Sequence, residues 1–403
     1  MMAAIGAATL QEARVLLVEK NERCGRKLLL TGNGRCNITN DGDLIEFLKH
    51  FSKNGEFLRD AFKYFFNAEL IAFFQERGLG FITENEGRIF PKTEQAESVL
   101  RILEEELHKK NVELRYCASV TEILQQDACV SGVVLDNHET ISSASVVLAT
   151  GGLSYPQTGS TGDGFRMAEK LGHTVVQARP GLIGLVVEEP PTASLEGLTL
   201  HDINLQLSNG KKKIKAEKTD LLFTDYGISG PSVLNLSSRI GDWFRESGRV
   251  ELSIDVVPRL TREEFEAWLL ETMKTNAKKT IRNMLAIFLP ERLIDVLLLQ
   301  AEIAPEKLTN YIAQAERKRL VDSAKAMRFT ITGPLSIEKA MITCGGVSLK
   351  EIDPRTMESR LIKKLYVAGE VLDIDADTGG FNLQAAFSTG YLAGMSVAKI
   401  KGN

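Results

Sequence analysis

Three short apolar runs in this chain end in the same way, and that ending constrains the fold more than any other feature. RVLLVEK (14–20), SASVVLATGG (143–152) and LYVAGE (365–370) are rich in Val and Leu and stop at an acid or a glycine. Continuous rather than alternating apolar residues suit strands covered on both faces of a parallel sheet. Ligands of open α/β sheets bind at the carboxyl ends of such strands. Gly151, Gly152 and Gly369 would let a ligand come close to the backbone there. Glu19 stands where a dinucleotide fold places the acid that holds an adenosine ribose; an exposed strand-end glutamate is the plain alternative. The expected class is α/β.

The rest of the chain divides by texture. An Ala-rich helix is expected over 1–13, and a helical stretch with Phe62, Phe65, Phe66, Phe73 and Phe74 as core residues over 44–78. A helix from about Gln95 leads into the strand VELRY, and runs at 118–124 and 130–135 suggest a small antiparallel excursion. From about Glu188, Pro190-Pro191, alternating residues and the Asn209-Gly210 turn signal antiparallel strands. KKKIKAEK follows that turn and alternates poorly, so it reads as a solvated hairpin arm. Residues 259–330 have helical spacing, with breaks at Pro290 and Pro305. The expected domains are 1–187 with 331–403, an inserted 188–258 of strands, and a helical insert over 259–330.

Composition narrows the function. A net charge of −4 in 403 residues gives no electrostatic reason to expect nucleic acid or an anionic membrane as main partner. Five scattered cysteines without C-x-x-C suit a reducing cytoplasm and argue against a disulfide framework or a metal site. No run of apolar residues is long enough to span a bilayer.

The segment GRKLLLTGNGRCNITN (25–40) is neither a P-loop, which needs a lysine after its second glycine, nor a nucleophile elbow, which needs G-x-S-x-G. Cys36 is a weak candidate for a reactive thiol, since a lone cysteine beside an arginine is usually a packing group. AGE ends a strand, which puts Gly369 and Glu370 at a sheet's carboxyl edge, with Asp373 nearby. DTGGFNLQ then turns into a helix near Asn382. Tyr155 and Arg88 are weak candidates to meet a substrate, and none of the five histidines falls in a marked motif.

Six blocks carry a resemblance: GRKLLLTGNGRCNITN, EGRIFPKTEQA, VVLATGGLSYPQTGSTGDGF, LLFTDYGISGPSVLNLS, ITCGGVSLKEIDPRTMES and LYVAGEVLDIDADTGGFNLQAAFSTGYLAG. In this order, from Gly25 to Gly394, they resemble the bacterial HI0933-like, or aminoacetone-oxidase-like, flavoproteins. The resemblance implies FAD on a Rossmann-type domain interrupted by a β-barrel-like insert and a helical insert. It also implies a strand and a G-x-G-x-x-G loop just ahead of MMAAI, which this sequence does not contain. The cofactor-binding positions it implies begin with Glu19, Lys20, Arg26, Lys27 and Thr31. In the glycine loop they are Gly32, Gly34, Arg35, Cys36 and Asn37, followed by Val120, Thr150, Gly151 and Gly152. The last block supplies Gly369, Glu370, Asp373, Gly380, Phe381, Asn382 and Leu383. Gly32 and Gly34 would let backbone lie against the flavin, with Arg35 and Asn37 as donors, and Gly345 and Gly346 beside Cys344 would do the same. A helix N-terminus at the pyrimidine edge would favour the reduced flavin.

The implied function is hydride transfer between a small organic substrate and flavin N5, with O2 or NAD(P)H as the other redox partner. Substrate would bind between the flavin face and the inserts. Small amines and unsaturated steroid-like ketones are the substrate classes suggested. A flavin-poor binding protein and a flavoprotein of RNA modification are the alternatives.

Overall fold

The runs that end in acids and glycines are strands, each of three residues. β1 (Leu16–Val18) pairs in parallel with β2 (Glu113–Arg115), and β3 (Val146–Leu148) pairs in parallel with β6 (Leu365–Val367). Parallel neighbours need long crossovers. The first crossover carries the helix α3 (Ala96–Lys109); the second carries the whole inserted unit. The two pairs are separate two-stranded sheets rather than one continuous sheet. All three residues of β6 are buried, whereas those of β1 are half-buried.

The computed structural model describes residues 1–9, 14–189 and 194–399. Residues 10–13 of the Ala-rich stretch and the Pro190-Pro191 pair lie outside the described residues. The chain forms two units, Met1–Leu182 with Ser336–Asn403, and Ile183–Leu335.

In the first unit, α1 (Met2–Ala7) packs against the last helix, α4 (Phe381–Lys399). A meander of Val120–Gln126, Cys129–Leu135 and Thr140–Ser142 forms the expected antiparallel excursion. β4 (Val175–Gly181) and β5 (Ile342–Val347) make an antiparallel ribbon with a bulge between Val176 and Arg179. One apolar core gathers Phe47, Phe62, Tyr366, Val367 and Phe381; a second gathers Ile38, Leu70, Phe74, Leu100 and Leu103. Phe62, Phe65 and Phe74 are buried as core residues, and Phe66 and Phe73 pack half-buried against the two cores.

The second unit is a closed six-stranded barrel. Its order is Leu185–Val187, Gly227–Ser229, Lys213–Thr224, Thr199–Ser208, Val250–Asp255, Met327–Pro334 and back to the first. Closure removes the unpaired edges that invite aggregation. Helices between its fifth and sixth strands, from Arg262–Thr275 to Gln314–Lys325, share one apolar core with the barrel. Thr261 starts the first of them with a capping box, accepting from Glu264 N at 3.2 Å while Glu264 accepts from Thr261 N at 2.8 Å. The lysine arm turns at Asn209, whose side chain accepts from Lys212 N at 2.8 Å. Its alternation is better than the sequence suggests: Ile214 and Ala216 pack against the core while Lys213 and Lys215 are exposed. The pattern breaks only at Lys218, in left-handed backbone. Among the described residues no helix is long and apolar enough to cross a membrane.

Candidate functional site

β6 delivers its carboxyl end beside that of β3: Ala368 N donates to Leu148 O at 3.0 Å. Past these bonds lie Ala149 and Thr150, both exposed, then Gly151 on one side and Gly369 and Glu370 on the other. Glu370 is the hub. Its Oε2 accepts from Lys27 Nζ at 2.5 Å, and its Oε1 accepts from Thr343 N at 2.8 Å and from Ser154 Oγ at 3.2 Å. Lys27, on the short helix α2 (Arg26–Leu30), also donates to Ser154 Oγ at 2.7 Å. The Lys27 and Glu370 side chains are only 25% and 20% exposed. Desolvating such a pair is offset only when further hydrogen bonds satisfy both partners, and here they do.

A second cluster sits at the end of β1. Glu19 Oε1 accepts from Asn21 N at 2.9 Å and Asn21 Nδ2 at 2.7 Å; Asn21 also bonds Thr158 O and receives Arg26 Nη1 at 3.1 Å. Lys20 is committed elsewhere, to Asp163 at 2.6 Å and Thr161.

The glycine loop is a short 3-10 turn, Thr31–Gly34, in which Gly32, Asn33 and Gly34 all have left-handed backbone, as does Cys36. Thr31 closes the preceding helix by donating to Leu28 O at 2.6 Å. Cys36 is fully buried, and burial pushes its thiol up to about 12. A thiol held so far from its thiolate is not a nucleophile at neutral pH. Cys36 is therefore expected to resist thiol reagents at pH 8 until the protein unfolds, while exposed Cys117 reacts at once. A thiol titration with and without urea, resolved by peptide mapping, checks this; rapid native labelling of Cys36 would overturn it. Arg35 pairs with Glu84 at 2.7 Å and lies over the Phe90 ring. Asn37 Oδ1 is buried and, among the described residues, has no hydrogen-bond partner.

The last block braces itself. Asp373 accepts from Asn54 Nδ2 at 3.2 Å and Asp377 meets His50 Nδ1 at 3.2 Å. Burial and neighbouring Asp375 hold the Asp373 carboxyl above its usual range. Asn382 turns back, accepting from Ala376 N at 3.0 Å and donating to Ala376 O at 2.9 Å, so its amide holds the chain rather than a ligand. Phe381 is buried between Phe47 and His50, with ring centroids 4.6 and 4.1 Å away. Leu383 packs against the second core, so α4 offers a ligand only the backbone N–H groups of its first turn.

Other marked residues fall outside these clusters. Val120 begins the meander, opposite Leu135, and packs against the first core. Arg88 donates to Asn85 O at 3.1 Å; Tyr155, in left-handed backbone, accepts from Thr158 N with its carbonyl. Gly345 and Gly346 serve the protein rather than a ring. A Cβ on Gly345 would lie 2.6 Å from Gln177 O, and one on Gly346 would lie 2.6 Å from Val371 O. A Cβ on Gly152 would likewise run into the Thr343 side chain. Gly34 and Gly369 differ: the nearest atoms to an added Cβ are 3.9 and 3.8 Å away. The acid that sequence reasoning passed over is Asp375, whose place in the alternating Asp373-Ile374-Asp375-Ala376-Asp377 was the only available signal.

The donor set fits a flavin. Asn37 has a bare buried acceptor for a ring N–H, Gly34 and Gly369 leave open backbone, and the first-turn N–H groups of α4 make no bond within the helix. Glu370 and Glu19 would take ribityl and ribose hydroxyls. The flavin ring, once bound, supplies two-electron hydride chemistry.

Comparison with known proteins gives the family. The family model described as HI0933-like protein Rossmann domain matches residues 1–396. The 3-dehydro-bile acid delta(4,6)-reductase of Clostridium scindens is 32% identical over 400 residues, covering 99% of this chain and 96% of the relative. The ribosomal RNA dihydrouridine synthase of Escherichia coli is 30% identical over 392 residues, covering 96% and 93%. The 3-ketosteroid delta1-dehydrogenase of Sterolibacterium denitrificans shares the fold, with a TM-score of 0.52 at 13% identity over 99% of this chain and 97% of that one. Strand pairs ending in a polar cradle, a barrel insert and a match along nearly the whole length together show that the chain belongs to the HI0933-like family of Rossmann-fold, flavin-dependent oxidoreductases.

Proposed function

We propose that this protein is an FAD-dependent reductase that saturates a carbon–carbon double bond conjugated to a carbonyl group. The observation that carries the flavin is the bare, buried Asn37 Oδ1 just after a left-handed glycine loop. The bond chemistry is supported by the two relatives. A Δ4,6 double-bond system beside a 3-ketone and the 5,6 double bond of uracil beside a ring carbonyl are the same problem: hydride onto the far carbon and a proton onto the near one. NAD(P)H is the electron source in this reading, and the cytoplasm its setting. The substrate is a small molecule, in keeping with a net charge of −4. A uridine carried on RNA is the second reading, favoured by the dihydrouridine synthase relative and the exposed Lys213 and Lys215.

The test is anaerobic. Protein loaded with FAD and dialysed should keep its visible flavin bands, bleach with NADH or NADPH, and regain colour with a 3-keto-Δ4,6 steroid or with uridine-bearing RNA. A colourless protein after dialysis, or colour regained only with O2, would reject the reductase reading.

A further inference from the structure

Saturating a conjugated double bond takes a proton as well as a hydride. Lys27 Nζ is bonded to Glu370 and Ser154, and the Cys36 thiol is fully buried, so neither is open to give one. Histidine is the side chain that most often carries a proton in catalysis. Four of the five histidines have other places. His173 is buried with both ring nitrogens engaged, Nδ1 with Glu351 at 3.0 Å and Nε2 with Ser359 at 2.9 Å. His201 belongs to the barrel unit and meets Asp220 at 3.0 Å. His108 lies in the last turn of α3, and His138 lies in the turn between the last two strands of the meander.

His50 sits against the last block. It ends the helix Leu44–Lys49, and its ring lies on that of Phe381 with planes 16° apart. Phe381 opens α4, whose first-turn N–H groups make no bond within the helix. Nδ1 of His50 meets Asp377 Oδ2 at 3.2 Å, and Asp377 N donates to His50 O at 2.9 Å. Side chain and backbone thus tie the two residues together. A carboxylate oxygen only accepts, so Nδ1 carries the hydrogen of that bond. The Asp377 side chain is 10% exposed, but that of His50 is 45% exposed. Phe381 covers one ring face and Asp377 covers Nδ1, so the exposed part is the other face and the Nε2 edge. Nε2 has no hydrogen-bond partner among the described residues. A ligand can reach it without any side chain moving aside. An imidazole fixed through one nitrogen, with the other open, is the arrangement of a general acid or base.

We propose that His50 donates the proton of the reaction, from Nε2 to the near carbon of the conjugated double bond, with Asp377 holding the ring in place. This rests on the double-bond reading above. Hydride on the far carbon, its two electrons drawn from NAD(P)H, leaves an enolate on the substrate. The Nε2–H bond of the imidazolium then breaks and a C–H bond forms at the near carbon. The enolate double bond supplies the electron pair, and the carbonyl is restored. Water returns a proton to the exposed Nε2. His50 is thereby a catalytic residue and Asp377 a positioning residue.

Two measurements test this role. The first involves no turnover: nitrogen-15 NMR of histidine-labelled protein carrying oxidised FAD, assigned with His50→Asn, follows the addition of a 3-keto-Δ4,6 steroid or of uridine. The His50 Nε2 resonance should move more than that of any other histidine. A bound probe that leaves it in place overturns the proposal alone. The second separates the half-reactions under anaerobic conditions. His50→Asn keeps an amide donor for Asp377 and has nothing at the Nε2 position; His50→Phe keeps a ring on Phe381 and loses both nitrogens. Both variants should accept electrons from NAD(P)H at the wild-type rate and pass them to the double bond about 10²–10⁴-fold more slowly. Loss of both half-reactions alike, or of neither, overturns the proton-donor role and leaves the double-bond reading standing. Wild-type protein that binds neither probe, or leaves the double bond of both intact, overturns that reading and this role with it.

Discussion

Replacing Gly380 by alanine is expected to lower the melting temperature by about 10 °C and to abolish retention of FAD on dialysis. An added Cβ would stand 2.4 Å from Thr39 O, 2.5 Å from Thr39 C and 2.7 Å from Thr39 Cα, all of them backbone. Thr39 cannot retreat. It is paired with Ile89 in the Thr39–Asn40 strand, and its hydroxyl donates to buried Gln384 at 2.6 Å. The φ of 96° adds strain that an L side chain cannot relieve. Together these effects cost about 3–5 kcal/mol, a large part of a domain's stability. A unit of this size loses roughly 2–4 °C per kcal/mol. Gly78→Ala is the control, with φ of 86° and nothing within 4 Å of the added carbon. It should cost about 1 kcal/mol from strain alone. Thermal melts of both variants, with and without FAD, decide the matter. A Gly380→Ala protein melting like Gly78→Ala would show that the Thr39 backbone yields, contrary to this account.

The second large effect is expected at the Lys27–Glu370 pair. Lys27→Met leaves the Glu370 carboxylate with Thr343 N and Ser154 Oγ as donors and no counter-charge. Stranding one partner of a fully buried pair costs about 3–5 kcal/mol. The side chains here retain a fifth to a quarter of their exposure, and solvent screening brings the figure to about 1–3 kcal/mol. Glu370→Gln is the gentler change, since the amide still accepts from Thr343 N while losing the charge. If Glu370 holds a ribityl hydroxyl, that variant should bind FAD about 10–100-fold more weakly, because a charge-assisted bond becomes a neutral one. The double variant should regain part of the stability lost by Lys27→Met. Urea melts give the stability terms, and quenching of flavin fluorescence gives the affinity. Unchanged FAD affinity in Glu370→Gln would remove Glu370 from the cofactor site and leave it a structural tie.

Much of the scaffold was legible because burial leaves a compositional mark. RVLLVEK, SASVVLATGG and LYVAGE are strands in parallel pairs, as their continuous apolar runs suggest, but only LYVAGE is buried along its whole strand. Asn209-Gly210 marked a hairpin, and Pro290 a helix break that the structure places just before the helix Glu291–Gln300, through backbone rules that act locally. The lysine arm was half-read: its exposed lysines are plain, but Ile214 and Ala216 turn inward only because a barrel core waits for them.

The site was less legible, for a physical reason. Lys27 and Glu370 are 343 residues apart, and neither residue type announces the other. Gly345 and Gly346 look like any glycines that might face a ligand, yet the backbones of Gln177 and Val371 occupy the space beside them. Asp375 carries the opposite lesson: an aspartate in an alternating acidic run reads as a solvated edge, and only the packing of the 51–54 turn, β4 and β5 around it makes it a buried acid. By itself the sequence determined the class of fold and the strand ends, because these follow from local pattern. The tertiary structure decided which charges are paired, which glycines are filled by protein, and which polar atoms are left bare. Those depend on chain segments brought together from far apart, and no spacing along the chain encodes them.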